Sequence, residues 1–254
     1  MQISFATQPS PEPGRVNEDY VLAGPDFVIL LDGATAPAGI DSGCVHTVAW
    51  YVRHLAAAVA QLLITRDEIE LRQAVHDAIA MVVGEHGPDC DLTNNASPSA
   101  TVAIVRRRGG ELDYFALADS PIVLEDGTVI VDDRTSYLPD YSREGIEAAR
   151  NRPGPGGFFV AQTDPGVVAE AVVGTVPMEK AGEFAMFTDG ASRFTELFKL
   201  GDWAALRTVL VEEGPDWLIN RVRASELATP PEPDPVSGRR FKRYDDATAV
   251  LVQL

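Results

Sequence analysis

FVILLDGATAP, residues 27 to 37, runs five apolar residues directly into Asp32-Gly33. The run reads as a buried strand. Asp-Gly is a common turn dipeptide, so the plain reading of its end is a turn. The alternative is that Asp32 is held at a strand end to bind something. The neighbouring segments bear on which reading holds.

EDYVL (18–22) and FVILL (27–31) read as a hairpin around AGPD. A two-residue loop pairs residues whose numbers sum to an odd value: 49 if Gly24-Pro25 is central, 51 if Pro25-Asp26 is. Either register puts Asp19 and Asp32 on one face at the open end, opposite or diagonal, with Cβ atoms about 4.5 to 8 Å apart; a three-residue loop would break the parity. Carboxylates that close repel, and one is pushed neutral unless a cation intervenes. The theme recurs. FAMFTDG delivers Asp189 to a strand end, and YDDATAVLV puts Asp245 and Asp246 at a strand start. Oxygen-only ligands suit hard cations such as Mg²⁺ or Mn²⁺. Asp126-Gly127 serves as a control: it joins PIVLE to TVIVD and reads as an ordinary hairpin turn.

Elsewhere, residues 2–6 read as a strand. Asp41 or Ser42 is placed as the cap of a long helix to about residue 64, and residues 65–87 give a second, ended by Gly87-Pro88. SATVAIVRR, ELDYFALAD and PIVLEDGTVIVDD form an antiparallel meander. Residues 133–166 are rich in Arg, Gly and Pro and read as an irregular flap with a short helix near 142–151. Helices are expected at about 202–213 and 215–228, then a Pro-rich loop (ATPPEPDPVSGRR) and a closing strand, DDATAVLVQL. Long helices beside antiparallel strands indicate an α+β layered domain, not a Rossmann unit, and no Walker A loop is present.

The chain has 254 residues, 45% of them hydrophobic, which allows a substantial core. Its net charge of -17 argues against nucleic acid as a partner. No signal peptide is visible, and LAAAVAQLLI (55–64) is too short to span a bilayer, so the expectation is a cytoplasmic protein without membrane attachment. The two cysteines, Cys44 and Cys90, suggest no disulfide framework, zinc site or thiol nucleophile, and a reducing compartment is expected. The four histidines (46, 54, 76 and 86) fall on the two long helices and are read as forming no ligand cluster. Arginine outnumbers lysine 18 to 3, which hints at a GC-rich bacterial genome.

NEDY (17–20), LLDGAT (30–35), SATVAI (99–104), ALADS (116–120), FTDGAS (187–192) and DDATAV (245–250) occur in the order seen in metal-dependent Ser/Thr protein phosphatases of the protein phosphatase 2C (PPM) type. The resemblance covers residues 3 to 254. It implies a single domain over 1–254: a four-layer αββα sandwich of two mainly antiparallel sheets flanked by helices, with a flap at about 133–166. It implies Asp19, Asp32, Asp189 and Asp245 as metal ligands, the carbonyl of Gly33 as another, and Asp119 as the aspartate of a third metal. The cofactors implied are two Mn²⁺ or Mg²⁺ ions, with a third at Asp119. The implied reaction is hydrolysis of phosphoserine or phosphothreonine in a phosphoprotein by a metal-bridging water, in bacterial signalling.

Four departures stand out. The family's phosphate-binding arginine lies five residues before the first metal aspartate, whereas Arg15 lies four before Asp19; Arg15 is still the candidate. DGATA replaces DGHGG or DGMGG, so the histidine proposed as general acid in some members is missing. ADSP replaces GDSR, which weakens the third-metal case, and Asp246 stands where asparagine is usual. A non-catalytic phosphatase-like binding module and a phosphatase of small phosphoesters remain alternatives. The basic loop GRRFKRYDD (Arg239, Arg240, Lys242, Arg243) beside Asp245 reads as a solvated loop or a phosphopeptide attractor.

Overall fold

The computed structural model describes residues 1–34, 39–228 and 242–254. In chain order the elements are β1 (Gln2–Gln8), β2 (Tyr20–Ala23), β3 (Phe27–Ala34), α1 (Val48–Thr65), α2 (Leu71–Gly84), β4 (Ser99–Arg108), β5 (Glu111–Leu117), β6 (Ile122–Val123), β7 (Val129–Ile130), α3 (Arg143–Ala149), β8 (Val172–Pro177), α4 (Met178–Ala181), β9 (Phe184–Phe187), α5 (Asp189–Glu196), α6 (Trp203–Glu213), α7 (Pro215–Ala228) and β10 (Ala247–Gln253). The strands form two five-stranded sheets, β1-β10-β9-β6-β7 and β2-β3-β4-β5-β8. Every pairing between named strands is antiparallel.

The apolar run 27–31 has a simple cause. Strand side chains alternate between faces. Phe27, Ile29 and Leu31 point to one face of their sheet and pack with Leu55, Val59, Val75 and Ile79 of α1 and α2. Val28 and Leu30 point to the other and pack with Phe184, Met186, Val250 and Val252 of the second sheet. The outer face of that second sheet is covered by α5, α6 and α7 through Phe194, Leu206, Leu210, Leu218 and Val222. Both faces of the β3 strand are therefore dry, and no polar position is tolerated between 27 and 31. The result is the expected α+β sandwich with layers α, β, β and α. A fourth, small cluster of Leu138, Ala149, Phe158 and Val160 joins Ala118 to the segment around α3.

Several boundaries differ from the sequence reading. Helix α1 starts at Val48, not at Asp41 or Ser42. Gly43 has φ +65°, and the Asp41 carboxylate accepts from the Gly43 amide (2.9 Å) in a local turn. The cap is Thr47, which accepts from the Trp50 amide. By length and composition α1 could cross a membrane, but its apolar face is buried in this fold. Helix α2 begins only at Leu71, because residues 66–69 close a turn through the Ile69 amide to the Arg66 carbonyl. Strand β8 was not anticipated; it is an edge strand with Val172 and Val173 exposed. Nor was α5, because FTDGAS reads as a strand end. The Pro-rich loop ATPPEPDPVSGRR lies, apart from Ala228, outside the described residues.

Candidate metal centre

The observed hairpin register sums to 51 (Tyr20↔Leu31, Val21↔Leu30), and one further step sets Asp19 opposite Asp32. Strand β4 pairs Thr101 with Asp32, and the Thr101 hydroxyl accepts from the Asp32 amide (3.2 Å). Asp189 opens α5 on the facing sheet, with its amide donating to Asp32 Oδ2 (3.3 Å). The two sheets thus bring their carboxylates together across the sandwich edge. Asp19 is buried. Its Oδ2 accepts from the hydroxyls of Thr188 (2.8 Å) and Thr248 (2.7 Å), which tie β9 and β10 to the start of β2.

The glycines answer why Asp-Gly ends the strand. Gly127, the control, has φ +85°, as a hairpin turn demands. Gly33 and Gly190 do not lie in the left-handed region. They are glycine because nothing larger fits: a Cβ on Gly33 would collide with Val48 and lie 2.7 Å from the Glu18 carbonyl oxygen, and one on Gly190 would collide with the Asp246 carbonyl. Both Asp-Gly pairs mark close backbone approach at the site, not turns.

A cleft of about 180 Å³ opens beside these groups. Its wall includes Asp32, Gly33, Asp119, Asp189, Asp245 and Lys242. Asp119 accepts from the Thr135 hydroxyl (2.9 Å). It follows Ala118, whose φ of +65° is left-handed at the position where the family pattern has glycine. That conformation is held by the buried Asp132, which accepts from the Ala118 amide (3.2 Å). Asp245 is flanked by two cations, Arg193 (3.0 Å) and Lys242 (3.1 Å), and Arg193 is anchored on the buried Glu226 (2.7 Å). Asp246 is not on the cleft wall. Its two oxygens accept from the Ser10 and Glu18 amides, both at 2.7 Å, so it fastens the chain on either side of Arg15 to β10. Arg15 itself is exposed, pairs with Glu12 (3.1 Å), and does not reach the cleft wall. Arg150, buried and bonded to Ser99 (2.8 Å), does line it. Of the basic loop, Arg239 and Arg240 lie outside the described residues.

Sequence reading did not single out Thr188, Thr248, Arg193, Lys242 as an Asp245 partner, or Arg150. Thr188 and Thr248 sit inside the quoted motifs, and Arg193 one turn after Asp189, so their proximity was available; Arg150 had no local signal.

Burial is the main electrostatic fact. It pushes Asp19 up to about 8, against the pull of the Thr248 and Thr188 hydroxyls and with a further push from Asp246 and Asp189. Asp32 is driven well above the usual carboxylate range by burial, then by Asp19, Asp189, Asp245 and Asp119. Asp189 is raised to about 7 by burial and Asp245, with Arg193 and Lys242 opposing. Three desolvated carboxyls, Asp19 buried and Asp32 and Asp189 half-buried at the cleft, with too little positive charge and only oxygen donors, are a fitting cradle for hard divalent cations.

One expectation is overturned away from this centre. The four histidines do not all lie on helices. His46 precedes α1 and His86 follows α2, and the packing of the two helices brings both beside Cys44 and Cys90. The absence of a Cys/His cluster, expected from the sequence, is therefore wrong.

The protein phosphatase 2C model matches residues 12–214. No curated protein matches the chain. Among solved structures, the catalytic domain of the serine/threonine protein phosphatase PstP in complex with two manganese ions is 16% identical (TM-score 0.56), with 98% of this chain and 96% of that one covered. Mycobacterium tuberculosis PstP/Ppp is 19% identical (TM-score 0.60; 98% and 97%). Stp1 of Staphylococcus aureus is 14% identical (TM-score 0.58; 100% and 95%). With the family pattern spanning most of the sequence and the sandwich matching end to end, the chain belongs to the protein phosphatase 2C family of metal-dependent serine/threonine protein phosphatases.

Proposed function

We propose that the strand-end carboxylates hold two Mn²⁺ or Mg²⁺ ions and that the protein hydrolyses phosphoserine and phosphothreonine on bacterial signalling proteins in a reducing cytoplasm. Asp19, Asp32, Asp189, Asp245 and the Gly33 carbonyl would hold the pair, and Asp119 a third ion. When bound, such metals acidify a water and offset charge on the phosphoryl oxygens. The observation that carries this reading is the convergence of Asp19, Asp32 and Asp189 from the two sheets, with the Asp189 amide on Asp32 Oδ2 (3.3 Å) and desolvation raising the proton affinity of all three.

The chain's own residues do the remaining work. Thr188 and Thr248 fix one oxygen of Asp19, which leaves that carboxyl one orientation. Arg193, pinned by Glu226, aims Asp245 at the cleft. Lys242 is at the rim with its side chain 68% exposed, placed to bind a phosphoryl oxygen when it leaves Asp245. Since Arg15 is turned to Glu12, Lys242 is the better candidate for this contact. Among the described residues no histidine lines the cleft, so the leaving oxygen would take its proton from water.

The test is hydrolysis of para-nitrophenyl phosphate and of a phosphothreonine peptide with Mn²⁺, with Mg²⁺ and with EDTA, beside Asp189→Asn. Turnover should require metal and fall to background in the variant. Undiminished turnover by Asp189→Asn would contradict the reading.

A further inference from the structure

A second group of metal-binding side chains lies apart from the carboxylates. Helices α1 and α2 are consecutive and joined by residues 66–70, so the start of the first and the end of the second lie at the same end of the pair. Cys44-Val45-His46 precedes α1, and His86-Gly87-Pro88-Asp89-Cys90 follows α2. One ligand atom from each of Cys44, His46, His86 and Cys90 lies within 4.8 Å of all the others.

Three of the six ligand-to-ligand edges already match a tetrahedral site, and the three to His86 lie within 4.8 Å. Zinc bonds of about 2.3 Å to sulfur and about 2.0 Å to nitrogen imply sulfur–sulfur edges of about 3.8 Å and sulfur–nitrogen edges of about 3.6 Å. Here Cys44 Sγ and Cys90 Sγ are 3.5 Å apart. His46 Nδ1 is 3.6 Å from Cys44 Sγ and 3.5 Å from Cys90 Sγ. His86 is held by a bond between its Nδ1 and the Val82 carbonyl (2.8 Å). That bond makes Nδ1 the protonated nitrogen and leaves Nε2 free as a ligand, the usual arrangement behind a metal-bound imidazole. The His46 ring stacks on Trp50 (4.0 Å between centroids) and meets His86 edge-on (4.8 Å), so both rings are oriented by packing. The His46 amide donates to Cys44 Sγ (3.4 Å), a bond that favours a thiolate. The two loops are also laced by backbone, Asp91 amide to Gly43 carbonyl (2.7 Å).

We propose that Cys44, His46, His86 and Cys90 form a structural Zn²⁺ site. Two thiolates and two imidazoles select a borderline-soft ion over Mg²⁺ or Mn²⁺, so the site would not compete for the ions of the carboxylate cradle. Binding displaces two thiol protons to solvent. All four protein positions are filled, which leaves no open coordination site for catalysis. The role is a clip: it fastens the loop before α1 to the loop after α2. The beginning of α1 matters to the carboxylate site, because Val48 is the residue a Cβ on Gly33 would strike. A Cys44–Cys90 disulfide would use the sulfurs but give the converging histidines no task.

The experiment uses untagged full-length protein. Its zinc content is measured after dialysis against Mg²⁺ and a mild chelator, its thiols are titrated with and without reductant, and Co²⁺ is exchanged in. We expect about one zinc per chain, two thiols titrating without reductant once the protein is unfolded in chelator, and a sulfur-to-cobalt charge-transfer band that carboxylates cannot produce. The band should vanish in Cys90→Ser, shift or weaken in His86→Ala, and survive in Asp189→Asn, which separates this site from the phosphatase centre. If the single variants fail to fold, the wild-type spectrum decides alone. Reduced, folded wild-type protein that gives no thiolate–cobalt band would overturn the proposal. Thiols that appear only after reductant would overturn it in favour of a disulfide.

Discussion

Asp32 and Asp113 lie on one sheet, about five residues apart along it, Asp113 buried and Asp32 half-buried at the cleft, and their surroundings are opposite. Asp113, on β5, receives Arg106 (2.8 Å), Arg108 (3.1 Å) and the Thr175 hydroxyl (3.0 Å). Arg106 is buried too, and its guanidinium also donates to the Ile69 carbonyl. That carboxylate is neutralised within the fold and acts as a fastening. Asp32 is desolvated and meets Asp19, Asp189, Asp245 and Asp119 instead, and its proton affinity rises accordingly. Burial of a carboxylate is thus not a sign of function. Crowding of carboxylates without sufficient countercharge is, because a folded chain keeps such an arrangement only where a ligand completes it.

The same substitution at the two aspartates should have opposite consequences. Asp32→Asn is expected to reduce phosphatase turnover to background and, at pH 8, to raise the melting temperature of the metal-free protein, since it removes a carboxylate the fold cannot compensate. Asp113→Asn is expected to leave turnover measurable and to cost about 3–5 kcal/mol, because Arg106 is left as a buried unpaired charge; urea unfolding of both variants checks the pair. Equal stability changes of one sign would break the comparison.

The comparison sharpens with pH. Asp19 and Asp189 sit at about 8 and 7 in the metal-free fold, against about 4 in an unfolded chain. Between those limits the folded state binds more protons than the unfolded state, so stability must fall as pH rises. Metal-free protein should therefore lose several degrees of melting temperature between pH 5 and pH 8, and saturating Mn²⁺ should remove most of that slope. A flat profile without metal would mean that the carboxylates are compensated after all. The smallest effect concerns the cleft wall. Ala118 is left-handed at φ +65°, and Ala118→Gly should gain about 1 kcal/mol in thermal or urea unfolding by relieving that conformation.

How much of this was legible follows from how far apart the determinants lie. The apolar run 27–31 announced a dry strand, and the two-residue hairpin loop fixed the parity that sets Asp19 against Asp32; both depend on neighbours within about a dozen residues. Asp189 and Asp245 were legible as strand-end carboxylates in ordered motifs. The start of α1 was misread because Asp41 and Ser42 look like caps, while Gly43 turns the chain away. Helix α5 was missed because one Asp-Gly pair was taken to behave like the other. The Arg193–Asp245 pair is not legible because it depends on where α5 packs, whereas Lys242, only three residues before Asp245, reads as part of a basic loop and not as its ion-pair partner. The Cys44–His46–His86–Cys90 grouping is hidden because its halves are about 40 residues apart and meet only once two helices lie side by side.

The most direct measurement of the central claim is calorimetric titration of metal-free protein with Mn²⁺ in buffers of differing ionisation enthalpy, at pH 6.5 and pH 8, with Asp189→Asn beside it. If Asp19, Asp32 and Asp189 form the metal centre, Mn²⁺ binds with release of protons, binds more tightly at pH 8, and releases fewer in the variant. Binding that releases no protons, or that is identical in Asp189→Asn, would contradict the account.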